Sequence, residues 1–388
     1  MTCSTPSTRT EDPRPVDEVD LEREVERVRD GAPAATLVPL LHEGAPAHRG
    51  RSTGATGGTR GWILGCFAEL GLPDEALPYV LEELEFGTEP YPVAGAARAL
   101  RGYRRDADLI GPLANAFSNM RSRDEPVSLE SLRPRWPAAE STSALREILV
   151  TASWLDHGSP GTWRSILSEP GSFAVPIREQ LEELAHGPAS GACCGTPPAA
   201  PESVEESPRS LAALGHLVVE THEGEEHTLE SLLSGRPTVL TFFYTRCENP
   251  NKCETTIKRL TELQEWLAAH SSGDELRILG LTYDPAYDLA PRLRRYITDL
   301  GLRPGRLTTI GRLPAGLDEV RSSLSLAVGQ GGATVNRHAV ELFILDANGE
   351  VVESWSRVGW EPSDVGRTAL SYASSSANRS IAGPTLVR

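Results

Sequence analysis

The sequence predicts a multidomain chain: an N-terminal all-α domain followed by a C-terminal α/β domain built on a central sheet. Three observations carry that expectation. At 388 residues the chain is too long for one compact core and suits two or three domains. Apolar residues recur at helical spacing from about 17 to 187. Beyond a stretch rich in Pro, Gly and Ser at 188–208, the pattern changes to short apolar strands alternating with helices.

Taken in order, residues 1–16 are polar and aperiodic, which predicts a disordered N-terminus. Segments such as DEVDLEREVERVRD, RGWILGCFAELG, DEALPYVLEELEFG, YPVAGAARALRGY and ADLIGPLANAFSNMR carry apolar residues near i, i+3, i+4 and i+7, and several stop at glycine. Short connections favour antiparallel neighbours, and no alternating segment suggests a strand. From Glu75 to Phe117 the helix pairs resemble a HEAT-like helical repeat; an irregular bundle is the alternative. Ala94, Ala96, Ala97 and Ala99 form a small-residue face that lets a neighbour approach closely. Residues 188–208 read as a linker. Residues 209–370 read as the α/β domain, in the order β-α-β-α-β-α-β-β, with a hairpin turn at DANG. From Ser371 to 388 the Ser-rich tail is expected to fray.

Composition narrows the function. The chain has 54 acidic and 38 basic residues, a formal net charge of -16, which disfavours a phosphate backbone as partner. No apolar run is long enough for a membrane span, and the polar start lacks a secretory h-region, so the expected location is cytoplasmic. Six cysteines are too few for a disulfide scaffold; a close pair reads as redox-active or metal-binding. There is no P-loop, and the glycine-rich GQGGATV (329–335) leads into a strand rather than a helix, so phosphate binding is weakly supported.

The sharpest feature is TVLTFFYTRCENPNKCETTIKRL. A buried strand ends at Tyr244 and a helix begins within ten residues. With Asn251 as N-cap and Glu254 closing a capping box, or with Asn249 as cap and Pro250 first in the helix, Cys253 lies near a helix N-terminus, where the dipole favours thiolate. Cys247 and Cys253 are therefore prepared to attack a disulfide or to ligate a soft metal. Both lysines of the chain, Lys252 and Lys258, lie within six residues of Cys253. Either they occupy a solvated helix face, or a compact ammonium tunes the thiolate or meets a partner.

From about Ser210 to Val358 these motifs resemble the SCO/SenC family of thioredoxin-fold, copper-binding proteins, known for assembling a copper site of respiratory oxidase. GRPTVLTFFYTRC is similar to the strand leading to that family's first cysteine, and the helix at Cys253 stands where the second is carried. Asp284, Pro285 and Asp288 of LTYDPAYD match a D-P-x-x-D segment, and His338 with Asp346 matches the family's histidine and hairpin Asp. The resemblance implies a thioredoxin-like fold and copper, Cu(I) or Cu(II), held by Cys247, Cys253 and His338. Two thiolates and an imidazole suit Cu(I). Five residues separate the cysteines here, where the family has three.

Three functions follow as expectations: a copper-binding or thiol-redox protein whose helical domain docks a partner or client; a thiol-disulfide oxidoreductase or thiol peroxidase using Cys247 and Cys253 without metal; or a helical interaction protein with a structural thioredoxin-like domain. Cys193 and Cys194, on the linker, are candidates for an accessory redox or metal role. Cys66 reads as a core residue, Cys3 as part of the disordered terminus, and the other histidines, including His222 and His227, as surface residues.

Overall fold

The six residues Thr238–Phe243 are all buried, which marks a strand covered on both faces. In the computed structural model, which describes residues 18–104, 106–132, 142–155, 209–271, 275–331, 334–357 and 360–381, this strand (β5) lies in the middle of a seven-stranded mixed sheet. Its parallel neighbour is β6 (Arg277–Thr282), itself parallel to β7 (Thr308–Arg312). On the other side β10 (Glu341–Leu345) pairs antiparallel with β5, and β11 (Val351–Ser356) closes that edge. The far edge is the hairpin β3 (Val218–Thr221) and β4 (Glu226–Thr228). Short α7 (Leu229–Leu233) precedes β5, α8 (Cys253–His270) follows β5, α9 (Ala290–Asp299) follows β6 and α10 (Leu317–Leu324) follows β7; α8 and α9 are the helical crossovers that the parallel strands require. This is a thioredoxin-like arrangement, as expected.

The N-terminal region is helical. Its principal elements are α1 (Glu18–Arg29), α2 (Thr53–Leu70), α3 (Leu77–Phe86), α4 (Pro90–Ala99), α5 (Ile110–Met120) and α6 (Ala144–Leu155), with several single-turn 3-10 segments. The small-residue face of α4 does bring a neighbour close. A Cβ on Gly95 would lie 2.0 Å from the Gly61 carbonyl oxygen of α2, so both glycines are needed for the backbones to meet. The strand-free expectation needs one correction: two-residue strands β1 (Pro126–Val127) and β2 (Thr142–Ser143) pair antiparallel between α5 and α6.

Two further elements depart from the sequence reading. A small hairpin, β8 (Val328–Gly331) and β9 (Thr334–His338), stands apart from the main sheet. The last helix, here α11, runs Pro362–Ile381, so Ser371 lies inside a helix instead of opening a frayed tail. Val365 and Ala369 at i, i+4 give that helix a buried face in the α/β core, which a reading of Ser content alone passes over. Residues 1–16 and the linker 188–208, with Cys3, Cys193 and Cys194, lie outside the described residues.

Candidate metal centre

Strand β5 runs straight into the site. Tyr244 follows its last residue, Phe243, and the next three residues are steered by the D-P-x-x-D segment. The fully buried Asp288 accepts hydrogen bonds from the Thr245 backbone N–H (3.0 Å), the Thr282 hydroxyl (2.5 Å) and the Thr245 hydroxyl. Asp284 pairs with Arg246 at 2.5 Å, and the Arg246 guanidinium also stacks 3.9 Å over the Tyr287 ring. Cys247 leaves this fixed start half-buried.

Cys253 opens α8 and is fully buried, as its expected place at the helix N-terminus requires. The cap itself differs from both expected versions. Lys252 occupies the N-cap position without a side-chain cap bond. Asn249 instead accepts from the Asn251 N–H (2.9 Å) and donates to the Phe86 carbonyl of the helical domain (2.5 Å). Its amide is thus committed to a local turn and to an interdomain bond, not to the helix end.

His338, at the end of β9, joins the two cysteines. Its Nε2 lies 3.2 Å from Cys247 Sγ and 3.5 Å from Cys253 Sγ. The ligand-capable atoms of all three residues fall within 4.8 Å of one another, and among the described residues no other such group converges. His338 Nδ1 is 2.8 Å from the Ala339 carbonyl oxygen. A carbonyl only accepts, so Nδ1 carries a proton, and that bond fixes the ring with Nε2 facing the sulfurs. The Tyr244 ring meets the imidazole edge-on at 5.3 Å and Tyr283 lies at 5.6 Å, walling the ring in place.

The two thiols have opposite electrostatics. The hydrogen bond from Cys253, opposed by burial and aided by His338, pulls Cys247 down to about 3. Burial, reinforced by the neighbouring Cys247, pushes Cys253 far up. Cys247 is the thiolate of the pair and Cys253 holds its proton. The Tyr244 N–H, 3.4 Å from Cys253 Sγ, supplies a donor for the moment that sulfur loses it.

Sequence reasoning found the triad and missed what stands behind it. Lys252 is not on a solvated face: it is buried, its Nζ bonded to Glu82 of α3 and to the His338 carbonyl oxygen at 2.8 Å. Arg337 pairs with Glu83 and with Glu89 (3.0 Å), and Arg357 pairs with Glu43 (2.7 Å) and Glu82 (3.1 Å). Arg60 of the helical domain closes the network on Glu43 (2.8 Å) and Glu83 (2.7 Å). The scarcity of lysine was the one signal of this seam in the sequence. Lys258 behaves as a solvated-face residue, 2.6 Å from Glu254 on the exposed side of α8. Cys66 is a core thiol, pushed up to about 12 by burial. His222 is corrected: it is buried, with Nδ1 3.1 Å from the Ile310 carbonyl oxygen, because β3 folds it against β7.

Residues 212–367 match the family model described as SCO1/SenC. Solved structures similar to this chain include copper-bound ScoI of Bradyrhizobium japonicum, at 18% identity over 40% of this chain and 96% of that one, with a TM-score of 0.34. Copper-bound ScoI of Arabidopsis thaliana matches at 15% identity, over 41% of this chain and 96% of that one, TM-score 0.35. Yeast Sco1 matches at 21% identity, over 41% and 92%, TM-score 0.32. No curated protein matches the chain. The stretch that matches the SCO1/SenC model is thus the C-terminal α/β domain, and it carries Cys247, Cys253 and His338.

Proposed function

We propose that this protein binds Cu(I) through Cys247, Cys253 and His338. The observation that carries the reading is the convergence of two sulfurs and an imidazole nitrogen within 4.8 Å, the ring being oriented by its Nδ1 bond to the Ala339 carbonyl. Two thiolates and one neutral imidazole form a soft, low-coordinate donor set, the kind Cu(I) prefers over hard-ligand metals. Bound there, copper would supply a one-electron couple and a thiophilic centre. The chain's own contribution is to keep Cys247 ionised, to aim His338 Nε2 at the two sulfurs, and to release the Cys253 proton on loading. Among the described residues no helix is long and apolar enough to cross a membrane.

The test is a Cu(I) titration of the fully reduced protein against a chromophoric chelator. One tight equivalent per chain, weakened in both Cys247→Ser and His338→Ala, is the expected result. Binding that is indistinguishable between wild type and both variants rejects the assignment.

A second reading rests on the asymmetry of the thiols. A half-buried thiolate at Cys247 beside a buried, protonated Cys253 is the arrangement of an attacking and a resolving cysteine. Cys247 Sγ would attack a substrate disulfide and expel one sulfur as thiolate. Cys253 Sγ, losing its proton, would then displace the second, leaving a Cys247–Cys253 disulfide and a reduced dithiol product. Disulfide turnover by metal-free protein, lost in Cys247→Ser, separates this reading from the first.

A further inference from the structure

The third ligand is delivered by an element that the α/β domain does not hold by itself. The β8–β9 hairpin forms its own two-stranded sheet, separate from the seven-stranded one. Within its own domain its hydrogen bonds are at the base, where the Ala339 N–H bonds the Ala327 carbonyl (2.8 Å) and Glu341 accepts from the Ala327 N–H (2.9 Å), and Val328 and Val335 reach into the α/β core. A two-stranded hairpin is marginal in water unless something packs on it.

What packs on it is the helical domain. Asn336, two residues before His338, donates its side-chain amide to the carbonyls of Arg51 (2.9 Å) and His48 (3.2 Å) and to the Thr56 hydroxyl (3.3 Å). The Gly50 N–H bonds the Gln330 carbonyl at 3.2 Å. The hairpin lies flat on the 43–51 segment: a Cβ on Gly329 would come within 2.2 Å of the Glu43 carbonyl oxygen, and one on Gly331 within 2.4 Å of that of Arg51. Arg337 is buried between Glu83 and Glu89, and Lys252 ties Glu82 to the carbonyl of His338 itself. Three consecutive residues, 336 to 338, are therefore each anchored to the helical domain, directly or through one lysine.

We propose that the helical domain is the positioning device for the third ligand: by clamping the β8–β9 hairpin through Asn336, Arg337 and Lys252 it places His338 Nε2 against Cys247 and Cys253. The clamp rests on the copper reading for its purpose but not for its existence, and the two are tested separately. Asn336→Ala removes three contacts to the helical domain and no donor atom of the site. In reduced, metal-free full-length protein it is expected to raise amide hydrogen exchange across 328–338 while β5 and β6 stay protected. Supporting groups of this kind commonly contribute about 10–100-fold to metal affinity, so Cu(I) binding is expected to weaken about tenfold. Because the clamp acts through the imidazole, that loss is expected to vanish in a His338→Ala background. Glu89→Gln, which loosens Arg337 at a partly exposed carboxylate, is expected to give the same pattern at smaller size.

Unchanged hairpin exchange in both variants overturns the proposal, as does a Cu(I) loss equally large with and without His338. Should wild-type protein bind no Cu(I), the proposed function falls while the exchange arm still decides whether the helical domain holds the hairpin.

Discussion

Two buried polar clusters sit side by side in this molecule, and they are built on opposite rules. The interdomain seam sets Glu43, Glu82, Glu83 and Glu89 against Arg60, Lys252, Arg337 and Arg357, four carboxylates with four cations. The Cys247–Cys253–His338 triad aims three donor atoms at one another. In the seam each charge has an opposite neighbour, and the field of the arginines holds Glu83 down at about 2 despite its burial. In the triad the sulfurs meet each other and an imidazole nitrogen. A charge-balanced cluster is architecture. Convergent soft donors are a site. Lys252 and His338 touch both clusters, so the architecture and the site share a wall.

Removing a cation from the seam should produce the largest effect. Arg357 is buried between Glu43 and Glu82, its guanidinium 3.9 Å over the Tyr79 ring. It holds φ at 77°, a conformation that costs a non-glycine residue energy and persists only where its surroundings enforce it. Arg357→Ala takes one cation from two buried carboxylates, leaving Glu43 with Arg60 and Glu82 with Lys252, and is expected to destabilise the protein by about 3–5 kcal/mol, read by chemical unfolding. A loss below 1 kcal/mol would mean the seam is solvated and the contrast with the triad is false.

The triad should respond in binding more than in stability. Because a supporting residue alone costs about 10–100-fold, Cys253→Ser is expected to weaken Cu(I) by more than about 100-fold in chelator competition. Its unfolding midpoint should move much less than that of Arg357→Ala. Equal shifts in the two variants would erase the distinction.

The pH response sharpens the comparison further. Cys247 is depressed to about 3, so its thiolate persists above that value and is lost only as pH falls toward it. Alkylation of Cys247 in the reduced, metal-free protein should be nearly flat from pH 5 to 8, where an ordinary thiol accelerates about tenfold per unit. Cys66, pushed up to about 12, should stay unreactive across the same range. Linkage has the same sign: stability from the Cys247 thiolate is complete above the unfolded thiol's pKa and drains away as pH drops toward 3. A Cys247 profile that climbs with pH like a free thiol would show that it is not the ionised member.

The smallest effect belongs to the second lysine. Lys258 makes an exposed i,i+4 pair with Glu254 on the solvent face of α8. Lys258→Ala should cost under about 0.5 kcal/mol in the same unfolding assay, against a far larger loss for Lys252→Ala, whose ammonium lies between Glu82 and the His338 carbonyl. Similar losses would place both lysines in one environment.

Periodicity and local chemistry made much of this legible in advance. The apolar run Thr238–Phe243, the helix beginning at Cys253, the alternation of strands and helices in the C-terminal half and the helical N-terminal half all follow from side-chain patterns a few residues long. The two cysteines stood out by their own place at a strand-to-helix junction, whereas His338 joined them only through the family resemblance of its motif. The helix cap at Asn249 or Asn251 was not legible, because the Asn249 amide is claimed by Phe86, which lies 163 positions earlier in the chain. The separate β8–β9 hairpin was not legible either, since strands of four and five residues without a sheet of their own carry too weak a pattern. Nor was the buried face of α11, where Val365 and Ala369 stand among serines and polar residues.

By itself, then, the sequence determined which side chains have the chemistry: two thiols at a strand-to-helix junction and a histidine ahead of a buried strand. Those are properties of neighbouring residues. Only the tertiary structure decided what surrounds them. The pairing of Glu82 with Lys252, of Glu83 with Arg337 and of Glu43 with Arg357 joins residues 170 to 314 positions apart. Such pairs leave no local trace, because an acidic residue on a helix reads the same whether it faces water or a buried arginine. Whether it is one or the other depends on which surfaces fold together.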